Sequence, residues 1–188
     1  MFSPGPNILG FTTGGVERMR IDASGNVTIG NTPVAGVNSI VQSTMTFRCD
    51  EISTTADILA DGSVPQSDEG DLVFDVTITP TDASNALLIN VRIKWGDTTG
   101  NRAVIAVFKD SDANAAFAEE FQSNGTVSIN NLTVAISTPA ASTSAQTWMV
   151  RFGDETGGDI KLNRSHNISN PFGAGRICSS IEIREIQL

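Results

Sequence analysis

LVFDVTITPTDASNALLINVRIKW, residues 72–95, contains two strands and the turn that joins them. Leu72, Phe74, Val76 and Ile78 alternate with Val73, Asp75, Thr77 and Thr79. Leu87, Ile89, Val91, Ile93 and Trp95 share one parity of the second run, and Asn90, Arg92 and Lys94 occupy the other. A period of two puts each set on one face of a pleated strand, one face dry and one wet. Between the runs, Pro80-Thr81-Asp82-Ala83-Ser84-Asn85 supplies turn-forming residues.

The same alternation continues outward. Arg102 to Lys109 (RAVIAVFK) is apolar on both parities and predicts a central strand. Further strands are expected at 126–136, 145–152, 159–163 and 176–186. Trp148, Val150 and Phe152 are in phase, and Ile181 and Ile183 alternate with Glu182 and Arg184. Ala113 to Phe121 (ANAAFAEEF) is the one stretch that resembles a helix, about two turns long. Seven or eight strands with turns between them predict an all-β chain whose C-terminal part, 45–188, is a jelly-roll-like β-sandwich.

Ahead of it stands GVERMRIDASGNVTIG, residues 15–30, which reads as a β-hairpin around the loop Asp22-Ala23-Ser24-Gly25-Asn26, with Gly placed for the left-handed conformation. Met19, Ile21, Val27 and Ile29 form its apolar face. Four side chains on two short strands make no core, since an isolated hairpin is marginal in water. Residues 31–44 read as a connector, so self-association is the better way to cover that face. The division expected is a hairpin shaft segment at 1–32, a neck at 33–44 and a knob at 45–188.

Charge narrows the function. Glu17, Arg18, Arg20 and Asp22 cancel, so the net −9 resides in the knob. An acidic domain repels phosphate backbones and anionic headgroups, which disfavours nucleic-acid and membrane-surface roles. No apolar run approaches the roughly 18 residues that span a bilayer. MFSPGPNILG has no signal-peptide pattern, so no export signal is expected. Cys49 and Cys178 lie far apart without a CxxC motif; two buried free thiols are the default, and a disulfide between first and last strands the alternative.

Two stretches carry a family resemblance. GVERMRIDASGNVTIG resembles the ERMRI-(D/T)-x-x-G-N-V-x-I-G shaft element of bacteriophage tail fibres, and VPQSDEGDLVFDVTITPTDASNALLINVRI, AVFKDSDANA and SSIEIREI are similar to a C-terminal tail-fibre knob. The resemblance implies a homotrimer with the knob turned toward the host. Met19, Ile21, Val27 and Ile29 would then trimerise, and Glu17 and Asp22 would be inter-chain partners of Arg18 and Arg20. It further implies a virion location after synthesis in host cytoplasm, contact with other tail proteins, and a host surface glycan or protein as receptor.

Catalysis is not expected. His166 is the only histidine, in a Ser-rich loop with no nucleophile-elbow motif. Asp110, Asp112 and Asn114 imitate the start of an EF-hand loop, but Ala115 and Phe121 stand where Gly and Glu are needed. A polar turn is the first reading there and a Ca²⁺ site the second; no other cofactor is expected. Trp95 and Trp148 read as core rather than sugar platforms. Receptor contacts are expected from polar, Gly-rich loops at 96–101, 153–158 and 164–175, with Arg164, His166, Asn170 and Phe172 as candidates.

Overall fold

A computed structural model describes residues 2–30, 32–33, 39–97, 102–123, 129–165 and 177–188. The described residues contain strands and no helix. β1 (Phe2–Gly5), β2 (Ile8–Thr13), β3 (Val16–Ile21), β4 (Val27–Ile29) and β5 (Thr32–Pro33) form an antiparallel meander in chain order, pairing with no later strand. The expected hairpin is β3–β4. Its loop closes through Asp22, whose Oδ1 accepts from the Ser24 and Asn26 amides at 2.8 and 2.9 Å, while Gly25 takes φ +86°. The Asn26 side-chain amide, donating to Oδ2 at 2.9 Å, and then these main-chain bonds hold the Asp22 carboxyl below its usual range.

The knob is a sandwich of β6 (Ile40–Arg48), β7 (Ile52–Thr54), β8 (Asp71–Ile78), β9 (Ala86–Asp97), β10 (Arg102–Lys109), β11 (Phe117–Gln122), β12 (Asn130–Pro139), β13 (Gln146–Asp154), β14 (Ile160–Leu162) and β15 (Ser179–Ile186). One sheet runs β11-β10-β13-β8. In the other, β9 has β12 on one side and both β15 and β14 on the other, with β6 beyond β15 and β7 beyond β14. Strand β6 begins inside the stretch read as connector, so the sandwich starts earlier than residue 45.

The core lies between the sheets. Leu87, Ile89, Val91, Ile93 and Trp95 are all buried, as their parity requires, and Trp95 meets Phe152 of the facing sheet edge-on at 6.4 Å. Each such side chain contributes roughly 1.5–3 kcal/mol by leaving water. The second face of β10 is also covered, explaining its double apolarity: Val104, Ala106 and Phe108 pack with Ile58. The segment carrying Ile58 is clamped to β13 by the Ile58 amide to Asp154 carbonyl bond at 2.9 Å. A Cβ at Gly153 would stand 2.7 Å from the Ala56 carbonyl oxygen and 2.8 Å from Ile58 Cγ1. Gly153→Ala is therefore expected to cost about 1–3 kcal/mol, read as a lower denaturation midpoint.

Three expectations are corrected. Residues 113–121 contain no helix; Phe117–Gln122 is edge strand β11, paired with β10. Phe117 and Phe121 pack toward the core at even spacing, so pairing and burial outweigh the helix propensity of Ala and Glu. Leu72 leaves the inward set: a bulge in the β8–β13 ladder turns Val73 in, at 6% exposed, and Leu72 out, at 45%. Finally, Cys49 and Cys178 are not free thiols but a disulfide, with Cα atoms 4.1 Å apart.

Candidate functional site

Strand ends divide the sandwich into two poles. Ile40, where the chain enters, is aligned through Ile186 with Ala86 and Pro139. At the opposite pole lie the ends of β9 (Asp97) and β13 (Asp154), and the starts of β10 (Arg102) and β12 (Asn130). The strand ends that flank the β9–β10 and β13–β14 connections therefore lie together, away from the entry point. Those connections are two of the three loops singled out in the sequence. Residues 98–101 of the first lie outside the described residues.

The described part of this far pole is acidic and well tied. Asp154 Oδ1 accepts from the Thr156 amide (2.7 Å), the Gly158 amide (2.8 Å) and the Thr156 hydroxyl (3.0 Å), shaping the 155–158 turn. Arg102 Nη1 lies 2.8 Å from Glu120 and 3.4 Å from Glu155. Lys161 Nζ lies 2.5 Å from Asp159. Each of these cations is thus engaged by a surface acid.

Of the receptor candidates, Arg164 is described. Its guanidinium lies 3.4 Å from Glu51, beside the disulfide. His166, Asn170 and Phe172 lie outside the described residues. Asp110, Asp112 and Asn114 sit toward the entry pole, remote from the far loops. Asp110 Oδ1 accepts from the Thr147 amide at 2.7 Å and Asn114 Oδ1 from Gln66 Nε2 at 2.9 Å, the bonding of a polar turn. No three metal-ligating side chains converge among the described residues. Trp95 and Trp148 are buried, which removes them as sugar platforms.

On the N-terminal sheet, Met19, Ile21, Val27 and Ile29 share one face, as their parity requires. The face is wider than the sequence reading: Leu9 aligns with Ile21 and Val27, and Phe11 with Met19 and Ile29, giving two rows of three apolar side chains. Ile29 remains 54% exposed and Phe11 39%. Leu9 and Phe11 stand among Pro4, Gly5, Pro6 and Gly10, residue types that carry no strand signal. Glu17 and Asp22 are spent within the chain: Glu17 forms a two-pronged pair with Arg20 at 2.8 and 3.0 Å, and Asp22 holds its own loop.

No protein-family model matches the chain, and no curated protein matches it. Among solved structures it is similar to a sugar-binding protein, the EclA C-terminal domain, at 11% identity and TM-score 0.34, covering 72% of this chain and 84% of that one. VP2 of an infectious bursal disease virus subviral particle is similar at 12% identity and TM-score 0.34, over 96% of this chain but 51% of that one. The enzymatically active domain of tailspike protein 4 of bacteriophage CBA120 is similar at 15% identity and TM-score 0.27, over 66% and 19%. Likeness at this level carries nothing about what the chain binds or does.

Proposed function

We propose that the chain is a homotrimeric, non-enzymatic phage tail-fibre protein. Its N-terminal sheet assembles the shaft, and the far-pole loops of its knob bind a host surface receptor. The observation that carries this reading is the apolar face of Leu9, Phe11, Met19, Ile21, Val27 and Ile29, on a sheet that pairs with no strand of the knob. Three such faces around an axis bury each other, and the resemblance of residues 15–30 to a fibre shaft element names the kind of assembly. The disulfide suits a protein that works outside the cell, where such bonds persist. A trimer presents each receptor loop three times, so weak individual sites gain from a multivalent surface.

Mass in solution and adsorption to host cells test the two halves separately. Light scattering is expected to give three chains per particle, and Ile21→Asp to yield single chains with an intact knob melting transition. A folded monomer of the unaltered protein would overturn the assembly. Labelled protein is expected to adsorb to host cells. Failure to adsorb would assign a purely structural virion role instead, and oligosaccharides released from host polysaccharide would make the protein a depolymerase.

A further inference from the structure

Asp97 and Asp154 end the two longest runs of inward-facing residues on the facing sheets. Asp97 follows Trp95 on the same parity and stands opposite Ile160, a core residue. Asp154 follows Phe152 on the same parity and stands opposite Ala103, also core. Both carboxylates are thus on the core faces, one step beyond the Trp95–Phe152 contact. They are buried, at 2% and 0% exposed. Both oxygens of Asp97 and Oδ2 of Asp154 have no hydrogen-bond donor among the described residues.

Buried carboxylates are strongly disfavoured unless a cation or hydrogen-bond donors meet them. The flanking cations do not serve: Arg102 is held by Glu120 and Glu155, and Lys161 by Asp159. We infer that Asp97 and Asp154 hold a divalent cation, Ca²⁺, between the sheets at the far pole. The donors are oxygens without His or Cys, which favours a hard ion over zinc or copper. Two side-chain carboxylates leave the rest of a Ca²⁺ shell to main-chain carbonyls and water, since no third acidic side chain converges with them among the described residues. Because Asp154 Oδ1 also shapes the 155–158 turn, the ion would fix a far-pole loop to both sheets.

The probe is Tb³⁺ in the intact, chelator-treated chain, with luminescence excited through tryptophan, since Trp95 lies two positions from Asp97. Saturable emission with one ion per chain, displaced by Ca²⁺, is expected. Asp97→Asn should abolish it, and Asp110→Asn should leave it unchanged. In parallel, a hundredfold excess of Ca²⁺ over its dissociation constant should raise the melting temperature by about 5–10 °C. The Ca²⁺ melting series on the unaltered chain keeps the test open if Asp97→Asn fails to fold. Absence of both signals overturns the site, as does emission lost in Asp110→Asn but kept in Asp97→Asn. A variant Asp97→Asn that melts higher, with no cation dependence in the parent, would likewise overturn the site.

Discussion

Glu185→Ala is expected to destabilise the knob by about 3–5 kcal/mol, because it leaves five donors without their acceptor, each costing about 1–3 kcal/mol where water does not replace it. Glu185 lies on β15 with no exposed surface, at the pole where the chain enters. Its Oε1 accepts from the Asn85 side chain (2.6 Å), the Thr81 amide and hydroxyl (both 2.8 Å) and the Asp82 amide (3.2 Å). Its Oε2 accepts from Gln42 Nε2 at 2.6 Å, and the same nitrogen donates to the Thr79 carbonyl at 2.7 Å. One carboxylate therefore ties β6, the β8–β9 turn and β15 together. Glu185→Gln would set an amide against the Gln42 amide, and turning Gln42 over would forfeit its bond to Thr79.

The same contacts give the prediction a pH signature. Burial pushes the Glu185 carboxyl up, but Asn85, Gln42 and Thr81 outweigh it and hold it down at about 2, against an ordinary 4.5. A depressed carboxyl contributes stability that is complete above its unfolded pKa and lost as pH falls through the folded one. The loss should fall between about pH 4.5 and 2 and amount to roughly 3 kcal/mol. Urea denaturation across that window checks both statements. The gap between the unaltered protein and Glu185→Gln should shrink as pH falls; a gap that stays constant would show that the charge is not what the site stabilises.

Reducing or replacing the Cys49–Cys178 bond is the second large effect, about 2–5 kcal/mol by the constraint it places on a loop of 129 residues in the unfolded chain. The cysteines continue a ladder already in place: Arg48 at the end of β6 pairs with Ser179 at the start of β15. Asn163 braces the same corner, donating to the carbonyls of Arg48 and Asp50 at 2.9 Å and accepting from the Ser179 hydroxyl at 2.7 Å. The double variant Cys49→Ser with Cys178→Ser should keep the sandwich but melt about 5–15 °C lower, and reductant should bring the unaltered protein to the same value. An unchanged melting temperature would mean that the ladder and Asn163 hold the corner without the cross-link.

Several features of this chain were written locally. The strands from 72 to 95 are legible because alternation and turn residues act within a few positions of each other, and β9 buries every residue its parity assigns inward. The Asp22–Asn26 loop is legible for the same reason: a short polar side chain and a glycine specify it without help from elsewhere. Residues 113–121 misled because their alanines and glutamates suit a helix, while the decision belonged to β10, which needed a partner on its free edge. The Leu72–Val73 exchange escaped because a bulge in the ladder with β13, distant in sequence, inverts the parity.

By itself, then, the order of residues determined an all-β chain, a hairpin with an apolar face, and the positions of its main core strands, because hydrophobic period and turn chemistry are near-neighbour properties. Tertiary structure alone decided that Cys49 meets Cys178, that Glu185 collects five donors, and that Asp97 and Asp154 turn inward at the same pole. Each of these brings together segments far apart in the chain. Which partners meet is set by how the sheets register and face each other, and no local pattern encodes that.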